Sequence, residues 1–294
     1  MLEGIKNKFI VQQIFEFLGK SNKLKIAHRN KYLNTKLEIT LNDYKEAFEI
    51  IEIGLKLSDN PDDYPEKDNY FINLRTNSDA DKFEIFIDEQ KLEKNIYSIS
   101  KDKLDIKDIR IKIPKDIKSF RSLFECCKCI KEINVFNWVR KDITDMSYMF
   151  YGCELLRRME ISRMKSDNVT DMSFMFCECS SLKEINVSKL NTRKVINMEK
   201  MFGECRALEK LDLSNFITYN VTNMAGMFFS DYLLQSLNVK NFNICKLEYM
   251  DNMFYDCKNL INLEIFVNDS KVIKDKTDMF HGCQYVKEEI KNQF

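Results

Sequence analysis

Ten cysteines are the side chains in this 294-residue sequence most able to do chemistry, since only His28 and His281 are available as imidazoles. Three kinds of chemistry are open to them: metal ligation, nucleophilic catalysis and disulfide formation. Cys126, Cys127 and Cys129, with Cys177 and Cys179, supply two Cys-x-Cys pairs. Zinc sites ordinarily use Cys-x2–4-Cys pairs that converge on one point, and these two pairs are neither spaced nor phased to match. His281 lies two residues from Cys283, but no further group is placed to activate that thiol as a nucleophile. With seven glycines there is no GxGxxG, no Walker-type loop and no HExxH. The expectation is therefore a non-enzymatic chain with no catalytic residues, no metal site and no cofactor.

Six of the cysteines, Cys127, Cys153, Cys179, Cys205, Cys257 and Cys283, share one slot of a longer pattern. The phrase Met-x-x-Met-Phe-x-x-Cys recurs with Phe124, Phe150, Phe176, Phe202, Phe228, Phe254 and Phe280 each 26 residues from the next. A fixed period in this range marks a stacked repeat architecture. Within the unit from Val169 the apolar positions are Val169, Met172, Met175, Phe176, Cys179, Leu182, Ile185, Val187 and Leu190, and the next unit repeats them from Val195 to Phe216. Stacked parallel strands lie about 4.8 Å apart, so the six cysteines could approach disulfide range. Their side chains would nevertheless point in parallel into the core. They read as a structural ladder of small buried hydrophobes.

The remaining elements are set by periodicity. The stretch Leu182–Val187 places Ile185 and Val187 on one side of a strand, and Asp171–Phe176 carries an N-cap residue followed by apolar spacings of three and four, which predicts one or two helical turns. The array should span 117–294 in about seven units, with Glu289 and Lys291 making the last one a polar cap near 285–294. Ahead of it, 1–58 reads as a helical domain. Its third helix is expected to run through Tyr44, Ala47, Phe48, Ile51 and Leu55. Residues 59–116 form an α+β connecting segment, with turn chemistry at Asn60–Pro65 and strands at Lys82–Ile87 and Ile109–Ile113. The last strand is expected to lie beside the first repeat strand and shield the sheet's open edge.

Residues 168–176, NVTDMSFMF, followed by Cys179-Ser180-Ser181-Leu182 and by Leu213-Ser214-Asn215-Phe216, resemble the BspA-like leucine-rich-repeat family, whose unit reads approximately NVTDMSxMFxxCSSLxxLxLSNFxT. The resemblance covers about 60% of the chain. It departs at Asp231, which stands in the Cys slot, at Lys276 in a Met slot, and at Lys246–Tyr249 in place of NVTD. It implies an α/β fold, a right-handed leucine-rich-repeat-like solenoid with a parallel β-sheet on one face and short helices on the other, used for protein contacts. Bacterial members are typically surface adhesins. Residues 5–37 also resemble an F-box, which would imply a substrate receptor recruited to an SCF-type ubiquitin-ligase scaffold through residues 1–37.

Charge and hydropathy narrow the partners. Lys plus Arg equals Asp plus Glu at 46 each, so no global basic field points to nucleic acid or anionic lipid. Residues 1–36 carry eight basic and two acidic side chains, whereas 37–110 carry eleven and nineteen. No secretory signal opens the sequence and no apolar run approaches the ~18 residues of a membrane span. The expected home is intracellular, in the cytoplasm, with reduced thiols. Outward strand positions remain as the candidate protein-binding face: a central column of Asn134, Glu160, Asn186, Asp212, Asn238 and Glu264, flanked by Phe136 and Phe266 as apolar anchors. Neighbouring amides and acids in that column could alternatively hydrogen-bond to one another along the stack.

Overall fold

The computed structural model describes residues 50–64, 69–74, 82–92, 97–99, 106, 108–265 and 273–294. The chain divides into two units, Met1–Ile50 and Ile51–Phe294. The helices expected in residues 1–49, with the F-box-like stretch and His28, lie outside the described residues.

Ile51-Glu-Ile53-Gly-Leu55-Lys-Leu57 forms strand β1 (Ile51–Leu57), where a helix through Ile51 and Leu55 was expected. A spacing of four keeps two residues on one face of a helix and on one face of a strand alike. The intervening Ile53 satisfies only the strand, and Ile51, Ile53 and Leu55 are all buried. Next in the chain are strands β2 (Glu84–Ile87), β3 (Gln90–Lys91) and β4 (Ile109–Ile113), with Asp88 and Glu89 at positive φ in the tight β2–β3 turn. Strand β5 (Ile130–Asn137) belongs to the first repeat. With β6 (Arg158–Glu160) of the second repeat, the sheet order is β3-β2-β4-β1-β5-β6, and β1 is antiparallel to both β4 and β5. The strand that meets the repeats is therefore β1 and not Ile109–Ile113. That segment sits one place further out, between β1 and β2, with Ile109, Ile111 and Ile113 all buried.

The repeat strands are short: β6 (Arg158–Glu160), β7 (Glu184–Ile185), β8 (Lys210–Leu211), β9 (Ser236–Val239) and β10 (Asn262–Ile265). They pair in parallel at the 26-residue offset, with Glu132 opposite Arg158, Glu184 opposite Lys210 and Ser236 opposite Asn262. A second parallel ladder joins Ser119, Asp145, Asp171, Asn197, Asn223, Tyr249 and Asp275. Between the ladders the Phe rings stack at 5.5–6.1 Å, with Phe124 through Phe254 fully buried. The result is a β-rich repeat fold in which, among the described residues, no sheet closes into a barrel.

The Met-x-x-Met-Phe segments were expected to be helical and are not. In the third coil the N–H groups of Met172, Phe174, Phe176 and Glu178 donate to Asn197, Glu199, Met201 and Gly203 of the next coil, at 2.8–3.0 Å. The alternate N–H groups of Met175, Cys177 and Cys179 close local turns onto Met172, Phe174 and Phe176. Positive φ at Phe174 (56°) and Glu178 (60°) stops a helix from propagating and aims every second N–H along the stack. The same two slots have positive φ in all seven coils, from Ser122 and Cys126 to Asp278 and Gly282. Among the described residues, helix amounts to a 3-10 turn at Pro61–Asp63, a 3-10 residue at Lys82 and α1 (Glu288–Lys291). Phe294, just after α1, meets Phe280 edge-on at 5.8 Å.

Candidate functional site

The cysteine slot is interior. Cys127, Cys153, Cys179, Cys205, Cys257 and Cys283 are buried, and all the cysteines are free thiols. Each Sγ from the second coil onward donates to the carbonyl of the Phe 29 residues earlier: Cys153 to Phe124 (3.1 Å), Cys179 to Phe150 (3.3 Å), Cys205 to Phe176 (3.1 Å), Cys257 to Phe228 (2.9 Å) and Cys283 to Phe254 (2.8 Å). Burial pushes the Cys153 and Cys205 thiols well above their ordinary value and Cys129 up to about 12. Thiols raised in this way are poor nucleophiles; the Cys283 thiol is instead lowered, by its hydrogen bond with Cys257. Cys126 and Cys245 are exposed, and desolvation together with Glu125 also raises Cys126. No three His, Cys, Asp or Glu side chains among the described residues are grouped so as to hold a metal ion. His281 is exposed and stacks on Tyr255 at 4.7 Å.

The opposite face is the strand face. Alternation along the strands buries Ile133, Ile185, Leu211, Leu237 and Leu263, half-buries Met159, and leaves Asn134, Glu160, Asn186, Asp212, Asn238 and Glu264 exposed. The anticipated hydrogen bonding from rung to rung is not what these side chains do. Glu160 Oε1 accepts the Ser162 N–H at 2.9 Å. Asn186 Oδ1 accepts from Ser188 (3.1 Å), Asp212 Oδ1 from Ser214 (2.9 Å) and Asn238 Oδ1 from Lys240 (3.1 Å). Each caps its own strand end, two residues on, as Asx-type turns do. A short side chain reaches its own backbone more readily than a neighbour one strand spacing away. The hydrogen bonds from Ser162 hold the Glu160 carboxyl below its ordinary value, and those from Ser214 do the same for Asp212.

Phe136 is 37% exposed, and its ring lies over Gly54 of β1. A Cβ on Gly54 would fall 2.3 Å from that ring, so the close approach requires glycine unless the ring moves. The Arg110 guanidinium sits 5.4 Å from the ring centroid. Phe266 lies outside the described residues. An open groove of 1230 Å³ runs along this face, bordered by Gly54, Phe136, Glu160, Asn186 and Asp212. Within it Glu132 pairs with Lys56 (3.1 Å) and Arg158 (3.7 Å), and further along the strand face Lys240 pairs with Glu264 (3.2 Å). Exposed pairs of this kind contribute little to stability. They leave a polar surface of mixed sign.

Several structurally important side chains carry no obvious signature in a single repeat. Asn215 Nδ2 donates to the Val187 and Leu190 carbonyls, and Asn241 Nδ2 to those of Ser214 and Phe216, at 3.0–3.2 Å. These amides tie each strand's exit to the preceding coil. Their constant place before Phe216 and Phe242 was the available signal. Thr192 and Thr218 do similar work, each hydroxyl donating to a carbonyl of the next coil and accepting the N–H of the same residue, Ile217 for Thr192 and Asn243 for Thr218. Rings also stack on the turn side, Tyr148 on Phe174 at 4.5 Å and Phe229 on Tyr255 at 5.0 Å, as aromatic residues 26 apart must when the coils stack in register.

Among the described residues no helix is long and apolar enough to cross a membrane. No curated protein and no solved structure matches the chain. A family match begins at 118 and does not reach the F-box-like residues 5–37. It covers residues 118–228 and, overlapping, 184–293, consistent with the BspA-like character of the repeats. On the strength of those repeats, the chain belongs to the family described as "Mycoplasma protein of unknown function, DUF285".

Proposed function

We propose that residues 117–294 form a right-handed leucine-rich-repeat-like solenoid that binds a protein partner on its strand face and catalyses no reaction. The observation that carries this reading is the column Asn134, Glu160, Asn186, Asp212, Asn238 and Glu264. It stays exposed from coil to coil while the alternate strand positions are buried or, at Met159, half-buried, and its first four members line a groove of 1230 Å³. Repeat arrays offer extended surfaces of this kind for macromolecular contacts. Phe136, held between Gly54 and Arg110, supplies an aromatic anchor at one end. The interspersed signs on the face favour a polar protein surface over the uniformly anionic backbone of nucleic acid. Free, buried thiols suit a reducing compartment.

A charge-reversed face tests the proposal. Glu184 and Lys210 project outward and make none of the capping bonds, so Glu184→Arg combined with Lys210→Glu should leave the fold intact. Proteins cross-linked to the native chain in lysate should be identified by mass spectrometry and their affinity remeasured with purified components. The reversal should weaken that affinity at least tenfold with the melting temperature unchanged. Equal affinity for the two forms would remove the strand face from consideration.

A further inference from the structure

One coil breaks the thiol ladder. Asp231 occupies the slot that cysteine fills in the other six, and it is fully buried, at 0% exposure. The ladder thiols on either side of it satisfy themselves by donating, Cys205 to the Phe176 carbonyl and Cys257 to that of Phe228. By the same register the carbonyl belonging to Asp231 is that of Phe202. Neither Asp231 oxygen has a hydrogen-bond partner among the described residues. A carboxylate can only accept, so an ionised Asp231 sets an acceptor against an acceptor. The neutral acid carries an O–H and can do what the thiols do.

Little around the slot compensates a negative charge: the Cys205 N–H favours it, but that group is already spent on the Phe202 carbonyl at 3.2 Å, and desolvation outweighs it. The titratable groups that act on Asp231 are Cys177 and Cys205 of the preceding coils, Cys257 of the next one and Glu204. Each of these is neutral or negative when it titrates, and no basic side chain among the described residues acts on the carboxyl. An unpaired charge buried in this way is costly, and the group holds its proton instead.

We propose that Asp231 makes the fifth coil a proton-dependent joint of the array: as the neutral acid it replaces the ladder thiol, and as the carboxylate it loosens the coil's pairing with its neighbours. The pairing at stake includes the N–H groups of Phe228 and Ser230, which donate to Met253 and Tyr255, and that of Phe202, which donates to Met227. Desolvation raises the carboxyl well above its ordinary value. The closed coil therefore holds the proton more tightly than the opened one. Stability from this site is complete below the ordinary carboxylate range and falls as pH rises towards the closed-state value. Over that interval the opening constant of the coil rises by up to tenfold per pH unit.

Native-state hydrogen exchange on the full chain reads this directly. Exchange at pH 5, 6, 7 and 8, corrected for the intrinsic base-catalysed rate, gives an opening constant for each segment. In the wild type that constant should climb with pH for Met224–Leu234 and for the facing parts of the neighbouring coils, and stay level for Met146–Leu156. Asp231→Cys, which restores the ladder thiol, and Asp231→Asn, which keeps the shape and a donor, should both abolish the climb. A level profile in the wild type, which needs no variant to fold, overturns the proposal. So does a climb that persists in whichever of the two variants folds.

Discussion

Asn186 and Asp212 show how one surface column serves two ends. Both are exposed on the strand face, and both spend an oxygen on the backbone N–H two residues ahead. Asn186→Ala should therefore cost about 0.5–1.5 kcal/mol, the worth of one ordinary hydrogen bond, in urea-induced unfolding. Asp212→Asn keeps an acceptor and removes only the charge. The Asp212 carboxyl is held below its ordinary value by the Ser214 N–H, so its contribution is present above the unfolded-state value of about 3.9. It is lost as pH falls through the folded-state value. The stability difference between wild type and Asp212→Asn, measured by denaturant titration across pH, should shrink on the acid side.

At the scale of the element, the Met-x-x-Met-Phe segment is the most informative case. Asp171 does cap it, accepting from the N–H and hydroxyl of Ser173 at 2.8 and 2.6 Å. Beyond that cap the backbone makes a series of turns whose alternate N–H groups leave for the next coil. Apolar spacings of three and four are shared by a short helix and by this turn ladder, so periodicity could not separate them. Left-handed backbone is costly for residues other than glycine, yet only Gly152, Gly226 and Gly282 among these fourteen positions are glycine. The intercoil hydrogen bonds offset the strain at the others. Gly226 has φ of 59°, and a Cβ there would meet Lys200 Cγ at 2.9 Å. Gly226→Ala should lower stability by roughly 1–2 kcal/mol and displace the Lys200 ammonium from its place 5.0 Å from the centroid of the Phe229 ring. Thermal unfolding and the aromatic chemical shifts of Phe229 would register the two effects.

At the scale of the whole molecule, stability rests on neighbours. Phe202 is fully buried between Phe176 and Phe228, so Phe202→Ala should cost about 3–5 kcal/mol by the loss of a large core side chain. In a repeat array that loss falls on two interfaces at once, and equilibrium unfolding should show it as a lower midpoint or as a separate early transition. A cost comparable to that of Asn186→Ala would reverse the assignment of inside and outside. The period, the buried face, the exposed column and the burial of the cysteine slot were all legible in the sequence, because a strict 26-residue recurrence of residue types leaves one consistent register. Three features required the tertiary structure. Strand β1 lies between Ile109–Ile113 and the repeats, since strand order depends on which edges are free to pair. The turn ladder replaces helix, since the destination of each N–H depends on the neighbouring coil. Asp231 stands as the unpartnered rung of a thiol ladder, since a hydrogen bond across 29 residues exists only once the coils are stacked.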